Sequence, residues 1–288
     1  MVSGFKPPVA PLFVPADRPG RFQKAAASGT DAVILDLEDS VAAAHKEAAR
    51  TAIIAHAGEF KLPIIVRVNA MGTPWHEADV NALRELNIAA IMLPKAESGA
   101  DIQKLPTGVP VIALVETARG LGNLSHILEA PRLAMIAFGS IDFALDLNCS
   151  HDQQSLLAVR SEIVWRSRAA KRDAPLDGVT TNLADPSVTE RDSTHAASLG
   201  FGGKMAIHPK QIALIKTTFQ PSEELIVWAK QVLAAAEMGS VTQVNGEMVD
   251  RPIIDRARRV LADSLGQTDT RNAGDNHLYS SVVARAGD

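Results

Sequence analysis

AVILDLEDSV, residues 32–41, joins a strand-forming apolar run to three closely spaced acidic side chains. Side chains alternate along a strand, so the odd-numbered apolar residues share one face, while Asp36 and Glu38 share the other. In a closed barrel of parallel strands, Asp36 and Glu38 would rise through the interior toward the carboxyl-terminal mouth, where barrel enzymes have their active sites. Asp39 follows them directly. The stretch therefore predicts both a barrel strand and a functional cluster of acids at its end.

Short apolar runs of this kind occur eight times along the chain. They occupy 11–16, 32–38, 63–69, 89–95, 109–117, 133–139, 176–182 and 203–209. Alanine-rich segments with helical periodicity lie between most of them, and strands that alternate with helices form a parallel sheet. Eight such units in about 200 residues predict a (β/α)8 TIM barrel over 10–220. The structural alternative is a doubly wound open sheet, which usually has fewer strands, and the chain has no GxGxxG turn.

Two local signals predict where particular helices begin or end. Gly29 closes the first alanine-rich segment, since glycine is a natural helix stop. The segment 186–201 opens with Ser187 and has Glu190 three residues later, which is the pattern of a capping box. These signals predict a helix end at Gly29 and a serine cap at the start of the later helix.

The pattern changes after Pro209. The segment 222–239 is strongly amphipathic and ends in glycine, and Asn245-Gly246 is a hairpin signal. A second helix follows, with Pro252 near its first turn and Gly266 as its stop. We expect a C-terminal helical extension or lid over 221–266 and a loosely held polar tail over 267–288.

Composition excludes several classes of protein. The formal net charge is −4 with both signs interspersed, which argues against a nucleic-acid surface. No segment approaches the ~20 apolar residues of a membrane span, and the N-terminus lacks a signal-peptide run. The single cysteine, Cys149, rules out an internal disulfide framework. These features predict a soluble cytoplasmic protein that binds neither nucleic acid nor membrane.

The acidic side chains at the predicted mouth of the barrel require positive charge nearby. Arg67 and Glu116 lie at the ends of the third and fifth strands, and Asp142 lies just past the sixth. Such a cluster is costly unless positive charge offsets it. Glu116 and Asp142 are 26 residues apart, about one β/α unit, and oxygen ligands favour Mg²⁺ or Mn²⁺ over zinc. The alternative stays open that either acid caps a helix or pairs with a surface basic residue.

Several longer motifs resemble the citrate lyase beta-subunit family of the metal-dependent barrel aldolases. The likeness covers roughly residues 10–265. It rests on FVPADRPGRFQKAAASGTDAVILDLEDSV, VRVN, LPKAES, VETARG, AFGSIDFALDL, LGFGGKMAIHPKQI and VNGEMVDRPIIDRA. The resemblance implies a (β/α)8 barrel, often trimeric. It also implies cleavage or formation of a carbon–carbon bond in short acids held as thioesters, such as citryl-, malyl- or citramalyl-CoA.

The resemblance also implies roles for individual residues. Glu116 and Asp142 match the family's Mg²⁺ ligands. Arg67 matches the arginine that holds the substrate's reacting end, and Glu38 and Asp39 match acids in the metal's outer shell. Outer residues of this kind orient the ligands and tune the metal.

Other matched residues lie farther from the metal. Asp250 matches an aspartate that reaches the active site from a neighbouring subunit, although its position also suits a helix N-cap. Arg18, Lys46 and Arg50 are candidates for the CoA phosphates, and so is Arg21; the alternative for each is a solvated surface side chain. One departure is that relatives commonly have a glycine soon after the DL of AFGSIDFALDL, where this chain has Asn148.

The main hypothesis is a Mg²⁺-dependent retro-Claisen lyase acting on a hydroxyacyl-CoA in a homo-oligomer, a trimer or hexamer. The alternatives are a thioesterase on the same thioesters, a pyruvate-type class II aldolase on free acids, and a subunit that has lost catalysis. Lys95 is a further candidate as a Schiff-base lysine, although nearby metal ligands would make that chemistry redundant. The acyl carrier could be free CoA or an acyl-carrier protein.

Overall fold

Eight parallel strands form one sheet in chain order. The structure is a computed structural model that describes residues 5–237, 243–244 and 247–264. The strands are β1 (Leu12–Pro15), β2 (Val33–Asp36), β3 (Ile64–Arg67), β4 (Ala90–Leu93), β5 (Val111–Val115), β6 (Leu133–Phe138), β7 (Leu176–Asp177) and β8 (Gly203–Lys204). All eight predicted strands are present, each within its predicted run.

The sheet closes on itself between its first and last strands. Leu12 bridges Ala206 in parallel fashion, and the Phe13 N–H donates to the Ala206 carbonyl at 2.8 Å. The Lys204 N–H donates to the Val9 carbonyl at 2.8 Å. An open doubly wound sheet would leave these edge groups unpaired. The (β/α)8 barrel is therefore confirmed.

Helices follow the strands around the outside. They are α1 (Phe22–Ala26), α2 (Lys46–His56), α3 (His76–Ala82), α4 (Gly99–Lys104), α5 (Ala118–Gly122), α6 (Leu124–Leu128), α7 (Ser140–Asp146), α8 (Leu157–Ala169), α9 (Pro186–Leu199) and α10 (Pro209–Phe219). Short 3₁₀ turns span Pro19–Arg21, Ala43–His45 and Ala57–Glu59.

The two predicted helix signals had different outcomes. Gly29 has a left-handed backbone with φ of 83°, but α1 already ends at Ala26. The predicted serine cap of α9 is wrong. Asp185 is the cap, and its side chain accepts the Ser187 N–H at 2.9 Å. An aspartate placed one residue before Pro186 can cap because proline suits the first helical position.

The apolar residues form two separate cores, one on each side of the barrel wall. Ile34, Ile65 and Met92 belong to the cluster inside the barrel. Leu35 and Val66 belong to the larger cluster between the strands and the helices. Because both faces are buried, the strands are nearly continuous apolar runs. The alternation predicted for β2 follows from this arrangement, since its odd-numbered residues face the helices.

The C-terminal unit begins at Gln220 and forms its own small core. Helices α11 (Glu223–Glu237) and α12 (Arg251–Ser264) pack through Ala229, Val232, Ala257 and Val260. Strands β9 (Gln243–Val244) and β10 (Glu247–Met248) pair antiparallel, as the hairpin signal predicts. The hairpin's turn, the predicted helix stops at Gly239 and Gly266, and the tail 267–288 lie outside the described residues.

Every helix that the structure describes is too short or too polar to cross a lipid bilayer.

Candidate active site

Asp36 and Arg67 form a two-point ion pair at the end of β2 and β3. The strand register places the two residues directly opposite each other. The Arg67 Nε and Nη2 atoms each donate to the Asp36 carboxylate at 2.7 Å. Burial acts to raise the pKa of Asp36, but the charge and hydrogen bonds of Arg67 outweigh it and the net pKa is lowered. Asp36 is therefore an anion that fixes the orientation of the arginine.

Asp36 also shapes the loop that follows β2. Its carboxylate accepts the backbone N–H groups of Glu38 at 2.9 Å and Ser40 at 3.1 Å. These bonds hold the chain in a turn, as short acidic side chains commonly do at strand ends. The turn points Glu38 back toward the arginine and leaves Asp39 with a half-exposed side chain, 3.8 Å from Arg67 Nη1.

Glu38 has one satisfied and one unsatisfied carboxylate oxygen. Its Oε1 atom accepts from Lys95 Nζ at 2.9 Å. Its Oε2 atom lies 3.1 Å from Arg67 Nη1 but makes no hydrogen bond of acceptable geometry, although it is buried. Burial raises the pKa of Glu38, and the neighbouring charges of Arg67 and Lys95 only partly oppose it. A buried acceptor without a hydrogen bond indicates a place for a ligand or water.

Glu116 is buried just past the end of β5. Its Oε1 atom accepts the Lys95 backbone N–H at 2.8 Å. A side chain at Gly139 would overlap its Oε2 atom and stand 2.5 Å from its Cβ, so glycine is needed for the carboxylate to lie there. Burial, followed by the negative charges of Glu38 and Asp142, raises the pKa of Glu116 to about 8.

Asp142 lies in the first turn of α7, with its side chain about one-third exposed. Its Oδ2 atom is 3.9 Å from Lys95 Nζ. The structure thus brings all five predicted mouth residues, Arg67, Glu38, Asp39, Glu116 and Asp142, into one cluster of charges.

Lys95 connects three acids of this cluster. Its ammonium group approaches Glu38 and Asp142, and its N–H donates to Glu116. Lys95 also has a positive φ of 47°, which costs an ordinary side chain strain energy and is often found at functional sites. The sequence identified Lys95 only as a Schiff-base candidate. Its contacts indicate that Lys95 positions the acids around it. These contacts depend on the left-handed backbone at Lys95, which the sequence pattern does not predict.

The residues at the mouth fit a magnesium ion. Among the described residues there is no group of three or more His, Cys, Asp or Glu side chains arranged to hold a metal. Glu116 and Asp142 would supply two carboxylates and leave positions for water and substrate, which Mg²⁺ tolerates well. Burial, followed by the negative charges of Glu38 and Asp142, raises the pKa of Glu116, and a divalent cation would offset those charges. The absence of a side chain at Gly139 leaves the space that the Glu116 carboxylate occupies.

Lys46 does not have the role that the sequence predicts for it. It is buried, and its Nζ atom donates to the Leu37 carbonyl at 2.6 Å, the Glu38 carbonyl at 2.7 Å and the Asn69 Oδ1 atom at 2.6 Å. All three ammonium protons are thus used inside the fold. The predicted contact between Lys46 and CoA is corrected to support of the loop that carries Glu38.

Arg50 takes part in the same support. Its Nη1 atom donates to Asp79 at 3.0 Å, and the fully buried Asp79 accepts both the N–H and the side-chain amide of Asn69. Arg18 differs, because its side chain is 61% exposed in the loop after β1. Of the four predicted CoA contacts, Arg18 and Arg21 are the exposed ones, and their exposure suits a phosphate. The roles of Arg18 and Arg50 toward CoA remain predictions.

Asp250 lies in the C-terminal unit and caps a helix. It is exposed, and its Oδ1 atom accepts the Ile253 N–H at 3.1 Å at the start of α12. The capping alternative is therefore realised in the structure. The proton-transfer role stays a prediction, because a cap and a catalytic acid can be the same side chain in different assemblies.

Comparison with known proteins identifies relatives along most of the chain. The family model described as HpcH/HpaI aldolase/citrate lyase matches residues 10–209. A citrate lyase subunit beta-like protein of Mycobacterium tuberculosis is 39% identical over 264 residues, covering 87% of this chain and 93% of its own length.

Two further relatives carry names with different activities. A (3S)-malyl-CoA thioesterase of Cereibacter sphaeroides is 32% identical, covering 87% of this chain and 92% of its own length. A mitochondrial citramalyl-CoA lyase of Rattus norvegicus is 30% identical, covering 89% of this chain and 86% of its own length.

The fold matches a solved structure with ligands. Protein CitE of Mycobacterium tuberculosis, crystallised in complex with magnesium, acetoacetate and coenzyme A, superposes with a TM-score of 0.80. The two sequences are 37% identical, and the match covers 91% of this chain and 98% of the other.

Gly139→Ala should disable the metal site by displacing Glu116. The added methyl group overlaps the Glu116 carboxylate, so we expect Mg²⁺ affinity to fall about 10- to 100-fold. Gly122→Ala is the matched control, because a Cβ there meets nothing within 4 Å. Isothermal titration with Mg²⁺ measures both variants. Equal affinities in the two would contradict the assignment of Glu116 as a ligand.

Magnesium binding should depend on pH through Glu116. Its pKa of about 8 leaves the carboxyl group mostly protonated at neutral pH without metal. A ligand must be deprotonated, so we expect Mg²⁺ affinity to rise toward about pH 8, and binding at about pH 7 to release close to one proton. Calorimetry in buffers of different ionisation enthalpy measures that proton. Affinity that is constant from about pH 6 to 9 would refute this expectation.

In the metal-free protein the same shift changes stability. The folded state holds a proton on Glu116 between its usual pKa of 4.5 and about 8. The contribution of this group to the free energy of unfolding therefore decreases as the pH rises through that window. Glu116→Gln should remove this slope and serves as the control.

Proposed function

The chain belongs to the HpcH/HpaI aldolase/citrate lyase family, and on that premise we propose that it is a Mg²⁺-dependent carbon–carbon lyase. Its proposed substrate is a short hydroxyacyl thioester of coenzyme A, such as citramalyl-, malyl- or citryl-CoA, cleaved or condensed by a retro-Claisen reaction. The observation that carries the proposal is the arginine–carboxylate cluster at the barrel mouth. The rat relative is named a lyase of such a thioester, and the CitE structure contains magnesium and coenzyme A.

Arg67 would stabilise the substrate oxygen that gains negative charge during the reaction. Two of its nitrogen atoms donate to Asp36, and the third, Nη1, lies 3.1 Å from Glu38 Oε2 without a hydrogen bond, so Nη1 is the atom left to donate to a substrate. A donor held in advance by other bonds loses little free energy to reorganisation as the reaction proceeds. Held by Glu116 and Asp142, Mg²⁺ would supply Lewis-acid polarisation of the substrate's hydroxyl and carboxylate oxygens.

The reaction moves two protons. Loss of the substrate's hydroxyl proton converts that oxygen to a carbonyl, and the scissile carbon–carbon bond breaks. The products are an oxo compound and the enolate of the remaining thioester. We assign protonation of the enolate carbon to Asp250, or proton removal from that carbon in the condensation direction. Glu38 and Lys95, which are hydrogen-bonded to each other, position the groups around the substrate. The pKa of Glu38 is raised by burial.

Thioester hydrolysis is the second candidate function. The Cereibacter sphaeroides relative is named a (3S)-malyl-CoA thioesterase, which supports this candidate. Hydrolysis requires a water molecule at the thioester carbonyl, whereas cleavage requires the hydroxyl group to lose its proton. The two activities are separated by their products. The lyase releases an oxo acid and acyl-CoA, and the thioesterase releases a free thiol and the intact hydroxy acid.

A substrate screen tests the proposed function. We expect purified protein with Mg²⁺ to release an oxo acid from at least one of citramalyl-, malyl- and citryl-CoA, and chelator to abolish this. Glu116→Ala and Asp142→Ala should each lose the activity while remaining folded, because both residues lie at the mouth and outside the apolar cores. Glu129→Ala, at an exposed position after α6, is the matched control.

The same screen separates the alternatives. Free thiol without oxo acid would assign the thioesterase, and turnover of free acids alone would assign the pyruvate-type aldolase. Thioesters on an acyl-carrier protein, assayed beside the CoA thioesters, identify the carrier. Full activity in Glu116→Ala would overturn the proposed metal site.

We propose that the active site is completed in a homo-oligomer, a trimer or hexamer. Helix α7, which carries Asp142, exposes Ile141 and Leu145, and Leu147 directly after it is also exposed; Leu145 is 80% exposed. Large apolar side chains beside an active site are typical of a surface that another subunit covers. An acid from a neighbouring copy, Asp250, would then reach the site.

Asp250→Asn should separate capping from catalysis. Asparagine can accept the Ile253 N–H but cannot transfer a proton, so we expect an unchanged melting temperature and a loss of turnover of about 10²- to 10⁴-fold. Solvent-deuterium exchange at the acyl methyl group should be lost in parallel. Asp255→Asn, an exposed acid on the same helix, is the control.

Mixing tests whether Asp250 acts across a subunit boundary. Asp250→Asn and Glu116→Ala are each expected to be inactive alone. Oligomers reassembled from both variants should regain part of the activity, since some sites then combine an intact metal site with an intact Asp250. Near-normal turnover of Asp250→Asn would return it to the role of a cap. An active monomer would exclude the proposed oligomer.

A further inference from the structure

A cavity lies beside β7. Its volume is about 490 Å³, and its lining comes mainly from the loop 151–154, the loop after β7 and helix α9 as far as His195. Leu176 belongs to the core inside the barrel, so the next residue, Asp177, points outward between the strands and the helices.

Asp177 is held between two basic side chains in this cavity. Its Oδ1 atom accepts from Arg160 Nε at 2.9 Å, and its Oδ2 atom accepts from Lys204 Nζ at 3.0 Å. All three side chains are buried. Burial acts to raise the pKa of Asp177, but the charges of Lys204 and Arg160 outweigh it, and the net pKa is lowered. Two buried cations thus meet one anion.

The other acids of the cavity are also occupied. Asp192 accepts from Gln153 Nε2 at 3.1 Å and from Thr180 Oγ1 at 2.8 Å, one bond to each oxygen. Asp152 accepts from the N–H and the hydroxyl of Ser155, again one to each oxygen. The carboxylates of this cavity are therefore already bonded within the protein.

Two nitrogen atoms of the cavity lining have no such partner. Arg160 Nη1 and His195 Nε2 are buried and make no hydrogen bond. The Arg160 side chain is more than nine-tenths buried, so water does not readily compensate its free donor. A guanidinium donor left unbonded in this way is costly unless something accepts from it. Exposed Arg191 adds a further positive charge to the lining.

We propose that this cavity binds a small oxyanion, a phosphate or a carboxylate, that accepts from Arg160 Nη1 and His195. Hydrogen bonds donated by a charged guanidinium group are among the strongest in proteins. Its planar arrangement of N–H groups suits both phosphate and carboxylate. Burial and the charge of Arg160 lower the pKa of both His151 and His195. A bound anion would offset that charge, so it should raise both pKa values.

The cavity shares a wall with the proposed active site. His151 Nε2 lies 3.0 Å from Ser140 Oγ, and Ser140 begins α7, the helix that carries Asp142. A side chain at Gly178 would overlap the Ser140 hydroxyl, so glycine is needed for this approach. His151, which lines the cavity, thus contacts the first residue of the helix that carries the proposed metal ligand.

Calorimetric titration with inorganic phosphate and with malonate tests the proposal. The protein is used without added metal, and in a Glu116→Gln background, so that binding at the barrel mouth is recognised. We expect saturable binding of at least one probe that Glu116→Gln leaves unchanged. Arg160→Gln and His195→Leu should weaken it about 10- to 100-fold, the loss expected for a charge-assisted hydrogen bond. The probe that binds more tightly identifies the source of the oxyanion.

Arg168→Gln is the matched control. It makes the same charge change on an exposed residue of α8, two turns or more from Arg160. Arg191→Gln keeps the test decisive if Arg160→Gln does not fold, since Arg191 is exposed. Nitrogen-15 spectra of the histidine rings should show the rise in pKa of His151 and His195 with the bound probe. No binding of either probe, or equal binding in Arg191→Gln, His195→Leu and Arg168→Gln, would overturn the proposal.

Discussion

The two-point ion pair between Asp36 and Arg67 is the interaction on which the barrel mouth depends. It joins the ends of β2 and β3 at 2.7 Å on both arms, in a place where water has little access. Removing one partner of such a pair leaves a buried charge without compensation, which typically costs about 3–5 kcal/mol. The pair also fixes the conformation of the loop after β2 and the orientation of the Arg67 guanidinium group. It turns the loop that carries Glu38 and Asp39, and it leaves one edge of the guanidinium to face the site.

Charge balance explains the rest of the mouth. Two basic side chains, Arg67 and Lys95, make the ion pairs among Asp36, Glu38, Asp39 and Asp142, and Glu116 adds a fifth carboxyl group. The pKa of Glu116 is raised first by burial and then by this excess of negative charge. It can be relieved by a proton or by a divalent ion, and this competition links metal binding to pH. The proposed second site shows the reverse situation, since its carboxylates are bonded and its spare groups are donors.

Much of this arrangement could be predicted from the sequence. The alternation of apolar and polar residues in 32–38 placed Asp36 and Glu38 inside a barrel, and the same test placed Arg67 and Glu116. Motif resemblance then supplied the family. The error concerning Lys46 has a clear physical cause. A lysine near the start of a helix usually reaches solvent, whereas this one turns inward to three acceptors that the chain contributes from distant positions.

The sequence by itself determined the eight strands, their inward and outward faces, and the residue types that gather at the mouth, because these follow from local periodicity. Only the tertiary structure decided which donor meets which acceptor. The left-handed backbone of Lys95, the need for glycine at 139 and the unbonded Arg160 Nη1 atom all depend on neighbours 17 or more residues away in the chain. Such pairings arise when the barrel closes and strands from different units come side by side, and no periodic pattern within one segment encodes them.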